Sequence, residues 1–390
     1  MDSDMNPFAP GSGLKPPALE GREAEIDAFD RLIVRTKRQA AERGILLSGL
    51  RGVGKTVLLN NFAAQAERHD WFVVQIEAQP TPEGRKATRQ KLARAIEAGA
   101  RRLRAKSAWG YVKDVLGSIG SFNVTLGFTG VSATLGTTAG RADSGNLDID
   151  LEELVEDLAT AMAKSKAGFG IFIDEMQDLD DELLGALISV QHLAGQKGWP
   201  FFIIGAGLPN LPGKLSATRS YSERLFDYRT IGALDHASAA DAISLPMNKL
   251  GARLDADALR TLVTAADGYP FFLQAYGKAA WDVSSSKTVN LDDARLAVEI
   301  GTEQLDAGFF RSRWQRATPA ERQYLRAMAE DRDEAASTAQ VASRLNRAAS
   351  QLTVARSSLI AKGLIYAPDH GAVRFTVPGM SGFISRQYEG

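Results

Sequence analysis

The sequence predicts an α/β chain in which a helix-covered parallel sheet is followed by a helical domain and then by a small helix-and-strand module. Three observations carry this. Short, continuously apolar runs recur at 45–48, 71–78, 169–174, 200–206 and 228–233, with helical patterns between them. Such runs mark strands buried on both faces. From about residue 236 the runs stop, and SAADAISLPMNKL, DADALRTLVTAADGYPFFLQAYGKAAWDV and LDDARLAVEIGTEQL read as helices. From about residue 305 three further helices lead into strand, turn and strand. The expected boundaries are an extended arm at 1–18, a core at 19–235 with an insertion at about 83–146, a helical lid at 236–304 and a C-terminal module at 305–390.

Composition sets the bounds. With 390 residues, 44% of them hydrophobic, the chain can bury a sizeable core. A net charge of −1 gives no ground for a polyanion binder from the total alone. There is no cysteine, hence no disulfide frame and no thiolate metal site. His69, His192, His236 and His370 are scattered without ligand spacing, which argues against zinc. No apolar run approaches the ~18 residues that span a membrane. The opening MDSDMNPFAPGSGLKPPALEGRE is acidic at its tip and rich in Pro and Gly, unlike a secretion signal. The expected location is the cytoplasm.

The first strand, Ile45 to Leu47, runs into Gly49, Leu50, Arg51, Gly52, Val53, Gly54, Lys55 and Thr56, which fit G-x-x-x-x-G-K-[ST]. Val57 to Phe62 then continue as a helix. Glycines let backbone N–H groups curl around phosphate oxygens, and the helix N-terminus adds partial positive charge. Lys55 is placed to reach the β- and γ-phosphates and Thr56 to ligate Mg²⁺, so the expected cofactors are ATP and Mg²⁺. A glycine-rich turn with an exposed lysine is the plain alternative, and the strand–loop–helix context speaks against it. The core is therefore expected to be a parallel-sheet P-loop NTPase.

Between Lys55 and Asp174 lie more residues than two β-α-β steps require. Two segments fill the surplus. RKATRQKLARAIEAGARRLRAK (85–106) holds nine Lys/Arg and one Glu, with Leu92, Ile96 and Leu103 as a thin apolar seam. FNVTLGFTGVSATLG (122–136) alternates through Phe122, Val124, Leu126 and Phe128, turns at Thr129-Gly130, and alternates back through Val131, Ala133 and Leu135. That reads as a β-hairpin. A solvated helix and an edge hairpin are one reading of the pair; an insertion that meets nucleic acid or a neighbouring subunit is the other.

GFGIFIDEMQDL (168–179) is an apolar strand ending in Asp174-Glu175. One carboxylate there can hold Mg²⁺ and the next can polarise an attacking water, which assigns Asp174 to the metal and Glu175 to the base. An acidic helix cap is the alternative for the pair taken alone.

In the C-terminal module TPAERQYLRAMAE is a first helix, with Thr318 as N-cap and Glu321 completing a capping box. STAQVASRLN and ASQLTVARSSLIAKGL follow as helices, and IYAPDHGAVRFTV as two strands. This is the winged helix-turn-helix pattern. Leu352, Leu359 and Ile360 should face inward. Arg344, Arg347, Gln351, Thr353, Arg356 and Arg374 are the candidate DNA contacts, of types suited to phosphates and base edges. Residues 305–390 carry 12 Lys/Arg against 8 Asp/Glu, a net +4 that leaves −5 for the rest. Winged helices also serve as regulatory or protein-binding domains, so DNA is one partner class of two.

With both phosphate-site motifs, a helical lid and a winged helix in that order, the chain resembles the AAA+ ATPases. Within them it looks like bacterial relatives of the origin-recognition initiators and of the archaeal ATPase/STAND branch. LEGREAEIDAF (19–29) is similar to the segment that lies near adenine in these families. The resemblance makes Arg224, just before the last strand, an arginine finger toward a neighbouring subunit, with Arg219 as runner-up and a plain surface arginine as the alternative. It implies a homo-oligomer with slow turnover. Two departures stand out. Gly205-Ala206-Gly207 occupies the usual place of a polar sensor, with Asn210 several residues late. Gly268-Tyr269-Pro270 replaces a lid sensor arginine and is similar to the Gly-x-Pro of the STAND branch, where Pro270 would pack near the base. The leading expectation is an ATP-dependent switch on DNA. A signalling or defence ATPase with a protein partner, and a loader or transposition-type regulator using 85–136, are the competitors.

Overall fold

The structure is a computed structural model that describes residues 1–103, 109–126 and 141–387. It divides into two compact units, one of residues 24–48 and 58–230, the other of 1–23, 49–57 and 231–390.

The first unit is built on a five-stranded sheet. Its strands are β1 (Gly44–Ser48), β2 (Phe72–Glu77), β3 (Phe169–Asp174), β4 (Phe201–Gly207) and β5 (Phe226–Thr230), in the order β2-β3-β4-β1-β5. All neighbours run parallel. Every residue of β1 and β4 is buried, the signature of a sheet covered on both faces. Helices α1 (Glu23–Lys37), α2 (Lys55–Arg68), α3 (Pro82–Leu103), α4 (Leu116–Thr125), α5 (Leu147–Lys164), α6 (Asp181–Lys197) and α7 (Leu211–Thr218) join the strands. Phe29 of α1 stacks on Phe62 of α2 with ring centroids 4.6 Å apart, and Trp71 closes the same core.

Two expectations for the surplus segment change. The basic helix is a packed element, because Ala93, Gly99 and Ala100 widen the seam of Leu92, Ile96 and Leu103. A Cβ on Gly99 would lie 2.9 Å from the Phe72 ring, so the missing side chain lets α3 close onto β2. Arg89 pairs with Asp180 and Glu182, and Arg102 with Glu67. The first strand of the expected hairpin is instead the end of α4. Phe122 and Leu126 are buried while Val124 is 46% exposed, which is the i, i+4 spacing of a helix and not the alternation of a strand. The buried Asn123 amide donates to Glu97 of α3 at 2.8 Å, and the Thr125 hydroxyl to Asp150 of α5 at 2.5 Å. The remainder of the hairpin, 127–136, lies outside the described residues.

In the second unit α8 (His236–Lys249), α9 (Ala256–Ala266), α10 (Pro270–Val283) and α11 (Leu291–Gln304) form a helical bundle. Strands were not expected here, yet Arg253–Leu254 and Thr288–Val289 pair in parallel. The N-terminal segment docks on α10. Trp281 donates to the Asp2 carbonyl at 2.7 Å and Asn6 to the Lys278 carbonyl at 3.0 Å. Phe8 is 3% exposed, and its ring fills the space left by Gly277.

A π-helical turn (Leu305–Phe310) and α12 (Arg311–Gln315) lead to α13 (Pro319–Ala329), α14 (Thr338–Arg344), α15 (Thr353–Ala361) and α16 (Met380–Arg386). Residues 336–337, 372–375 and 365–366 form a small antiparallel sheet in that spatial order. The Thr318–Glu321 capping box is present, Leu352 and Leu359 are buried, and Ile360 is half-buried. Phe310 stacks on Phe383 of α16 at 5.5 Å, fixing the end of the module.

No helix among the described residues is long and apolar enough to cross a membrane.

Candidate functional site

The phosphate-loop residues leave β1 through Gly49, where a Cβ would lie 2.1 Å from the Ile231 carbonyl oxygen. Only glycine permits that approach. Gly52 and Gly54 have φ of +89° and +97°, a region that side chains rarely enter. Successive turns of this kind direct backbone N–H groups into one concavity. Leu50 and Arg51 start the bend and Val53 is buried beneath it. Lys55 is 7% exposed, and its ammonium donates to the carbonyls of Gly49 and Leu50 at 2.9 and 2.7 Å. Thr56 follows in the first turn of α2, with Gly13 of the N-terminal segment beside its methyl group. These residues fit a phosphate chain: glycine-built curvature, a helix N-terminus and one buried cation.

Arg22 was missed by sequence reasoning. Its guanidinium is buried and donates to the Val53 carbonyl at 3.0 Å and the Gly232 carbonyl at 2.6 Å, bracing the loop. Its place in LEGRE, immediately before α1, was the available signal. Tyr269 was missed as well. It precedes Pro270, which is the first residue of α10, and Gly268 at φ +65° pairs with Leu234.

In the first unit Asp174 ends β3 at the same sheet edge as Ser48 of β1, with β4 between. Glu175 follows with φ 49° and ψ 41°, a left-handed conformation that costs a glutamate about 1 kcal/mol or more. Its N–H donates to Asp174 Oδ1 at 2.9 Å, and Gln177 donates to its Oε2 at 2.7 Å. The two carboxylates are therefore turned and fixed by local bonds. The glutamine also closes the end of β4: its Oε1 accepts from the Leu208 N–H at 3.1 Å and fills the space above Gly207. Asn210 sits at the start of α7 with a buried side-chain oxygen that has no hydrogen-bond partner among the described residues. No cluster of three or more His, Asp or Glu able to hold a metal is found among the described residues.

Arg224 and Arg219 are both exposed, just before β5. Phe226 pairs with Gly44, so this is the sheet edge opposite to Ser48 and Asp174. Neither arginine meets the carboxylates of its own unit.

Of the candidate DNA contacts, Arg347, Gln351 and Thr353 are exposed and Arg356 is half-buried. Arg344 is occupied within the module: Asp331 takes it in a bidentate pair, Glu330 lies at 3.1 Å and the Ala327 carbonyl accepts at 2.8 Å. Arg374 donates to the Asp333 carbonyl at 2.7 Å with Glu334 at 3.4 Å. Val354, which follows Thr353 in α15, is 80% exposed.

Residues 18–204 match the family described as AAA ATPase domain, and residues 307–384 a family described as a domain of unknown function. No curated relative matches the chain. Among solved structures, a Walker-type ATPase of Pyrococcus abyssi is 15% identical with a TM-score of 0.57, covering 98% of this chain and 99% of that one. The Aeropyrum pernix Orc1 protein, solved in complex with DNA, is 15% identical over 96% of this chain and 94% of that one, with a TM-score of 0.45. The Thermotoga maritima RuvB branch migration motor is 16% identical over 93% and 96%, with a TM-score of 0.46. Over residues 18–204 the chain is similar to the AAA ATPase domain family.

Proposed function

We propose that this chain binds and slowly hydrolyses ATP with Mg²⁺, and that nucleotide state switches a DNA-facing C-terminal module. The carrying observation is the pair Asp174 and Glu175, held at the C-terminal end of a buried strand with the glutamate in a strained conformation. Strain of this kind collects where a side chain must point against its backbone preference. Lys55 would hold the β- and γ-phosphates, with Pro270 near the base, and Thr56 and Asp174 would hold Mg²⁺. Glu175 would take a proton from the attacking water. Arg224, exposed at the far sheet edge, is suited to act on a neighbour's nucleotide, which makes hydrolysis depend on a homo-oligomer. A helix-rich C-terminal module with two short wing strands supports the winged-helix reading. Its open face, Arg347, Gln351, Thr353 and Val354, offers one cation, two polar groups and one apolar contact for a groove. A cytoplasmic location belongs to the same reading.

The test is fluorescence anisotropy of labelled duplex DNA, with and without a non-hydrolysable ATP analogue, across a salt series. The reading requires nucleotide-dependent affinity that falls steeply with salt. A second reading, a signalling ATPase with a protein partner, is favoured by one observation: the Arg51 N–H donates to the Thr376 carbonyl at 3.0 Å, so the module touches the phosphate loop. Absence of DNA binding at low salt in either nucleotide state selects that reading.

A further inference from the structure

Gln177 stands two residues beyond Glu175, buried at the C-terminal end of the sheet, and the bonds around it have a fixed sense. Its Oε1 accepts from the Leu208 backbone N–H at 3.1 Å. A backbone N–H only donates, so the amide oxygen must face Leu208. The amide nitrogen is thereby turned to the other side, where it donates to Glu175 Oε2 at 2.7 Å. The end of β4 leaves room for this arrangement. Gly205, Ala206 and Gly207 bring no polar side chain. A Cβ on Gly207 would lie 2.5 Å from Gln177 Oε1, so any larger residue there would displace the amide. The turn that carries Gln177 is held from two further sides. Met176 is fully buried against Gly205. Lys214 of α7 donates from its ammonium to the carbonyls of Gln177 and Leu179 at 2.6 and 3.1 Å, with Asp181 at 3.7 Å.

A general base must be aimed at one water, and a glutamate has three side-chain torsions to settle before it is. The left-handed backbone of Glu175 and its N–H bond to Asp174 fix where the side chain starts, not where it ends. The Gln177 donor acts on the carboxylate itself. We propose that Gln177 is a positioning residue for ATP hydrolysis: its amide, oriented by the Leu208 N–H, holds the Glu175 carboxylate in the orientation from which it takes the proton. A carboxylate accepts at two oxygens, so one donor at Oε2 sets its direction without exhausting its capacity as a base. Glu175 is thereby tied to the end of β4, and through Lys214 its turn is tied to α7. The proposal rests on the reading that Glu175 is the general base.

The experiment is steady-state ATP hydrolysis with Mg²⁺ by the full chain, alongside calorimetric titration with a non-hydrolysable ATP analogue. The variants are Gln177→Glu, Gln177→Met and Glu175→Gln. Gln177→Glu keeps an oxygen for the Leu208 N–H but offers Glu175 no donor. Gln177→Met keeps the volume and loses both bonds, so each variant remains informative should the other unfold. The expected result is a kcat lowered roughly 10- to 100-fold in both, the loss of one hydrogen bond to a charged group. KM and analogue affinity of Gln177→Met should stay within about twofold of wild type. Wild-type kcat in Gln177→Glu with a loss in Gln177→Met alone assigns the glutamine to closing β4 and overturns the proposal. A fall in analogue affinity of Gln177→Met as large as its fall in kcat overturns it too. If Glu175→Gln is inactive while both Gln177 variants keep wild-type kcat, the positioning role alone is lost and the general-base reading stands. If Glu175→Gln hydrolyses at the wild-type rate, or wild type hydrolyses no ATP, that reading fails and the positioning role falls with it.

Discussion

In the C-terminal module Arg344 is gripped by Asp331 and Glu330, and Arg374 by Glu334 and a carbonyl. Arg386 pairs with Asp306 and Lys362 with Glu321 in the same way. Arg313 has a carbonyl and an aromatic ring and, among the described residues, no carboxylate within ion-pair distance. The sequence attributes a net +4 to residues 305–390, but that sum does not say where the surplus lies. Several cations of the module are answered by carboxylates, whereas among the described residues none lies within ion-pair distance of Arg313. A basic domain is thus not by itself a basic surface.

The largest effect that would sharpen this contrast is expected at Lys55. Its ammonium donates to two carbonyls of its own loop, where it is placed to meet phosphate oxygens. Lys55→Ala should weaken ATP at least ~100-fold, as expected for losing charged hydrogen bonds to two phosphates. Calorimetric titration checks it, and affinity within a few fold of wild type would break the assignment.

Next comes the contrast itself, read as stability. Arg344→Ala leaves Asp331 and the Ala327 carbonyl without their donor and should destabilise the module by about 2 kcal/mol. Arg313→Gln removes a guanidinium that repels its neighbours and should leave the melting temperature unchanged or slightly higher. Thermal unfolding of both variants decides; a larger loss in Arg313→Gln would reverse the comparison.

A smaller effect concerns pH. Burial opposes ionisation of Glu321, but Lys362, Ser358 and the Thr318 N–H overcome it and hold its pKa at about 2, below the ordinary 4.5. A folded-state pKa below the unfolded one stabilises the module at pH above about 4.5 and loses that contribution as pH falls toward 2. Lys362→Met should cost about 1 kcal/mol at neutral pH and flatten the fall in melting temperature between those pH values. An unchanged acid profile would remove Lys362 from the account.

How far the sequence led depended on whether a signal was local. The phosphate loop, the strand ending in Asp174 and the Thr318–Glu321 capping box are each contained in a few adjacent residues, and all lie where spacing put them. The 122–126 stretch failed because Phe122, Val124 and Leu126 satisfy both period two and the i, i+4 spacing; only the exposure of Val124 separates them. The width of the α3 seam was hidden by counting alanine and glycine as neutral. Arg22 and Tyr269 were illegible for another reason. Each meets the loop across a long stretch of chain, and no period in the sequence records such a meeting.

The smallest effect bears on what remains of the basic surface. Arg347 is exposed in the turn that follows α14 and forms no ion pair among the described residues, so it is a cation that only a partner outside the module would answer. On DNA a single phosphate contact of this kind lowers the log–log salt slope by about one and changes affinity two- to fivefold, with no effect on folding. Arg347→Ala should show that pattern in the anisotropy assay, while Gln351→Ala, if it reaches a base edge, should alter sequence preference without moving the slope. Arg344→Lys supplies the contrast: it keeps the charge but loses the bidentate geometry, so it should lower stability and leave the salt slope alone. If Arg347→Ala leaves both slope and affinity untouched while Arg344→Lys weakens DNA, the ion pairs seen around Arg344 open in the complex. The division between answered and unanswered cations would then describe the free protein only.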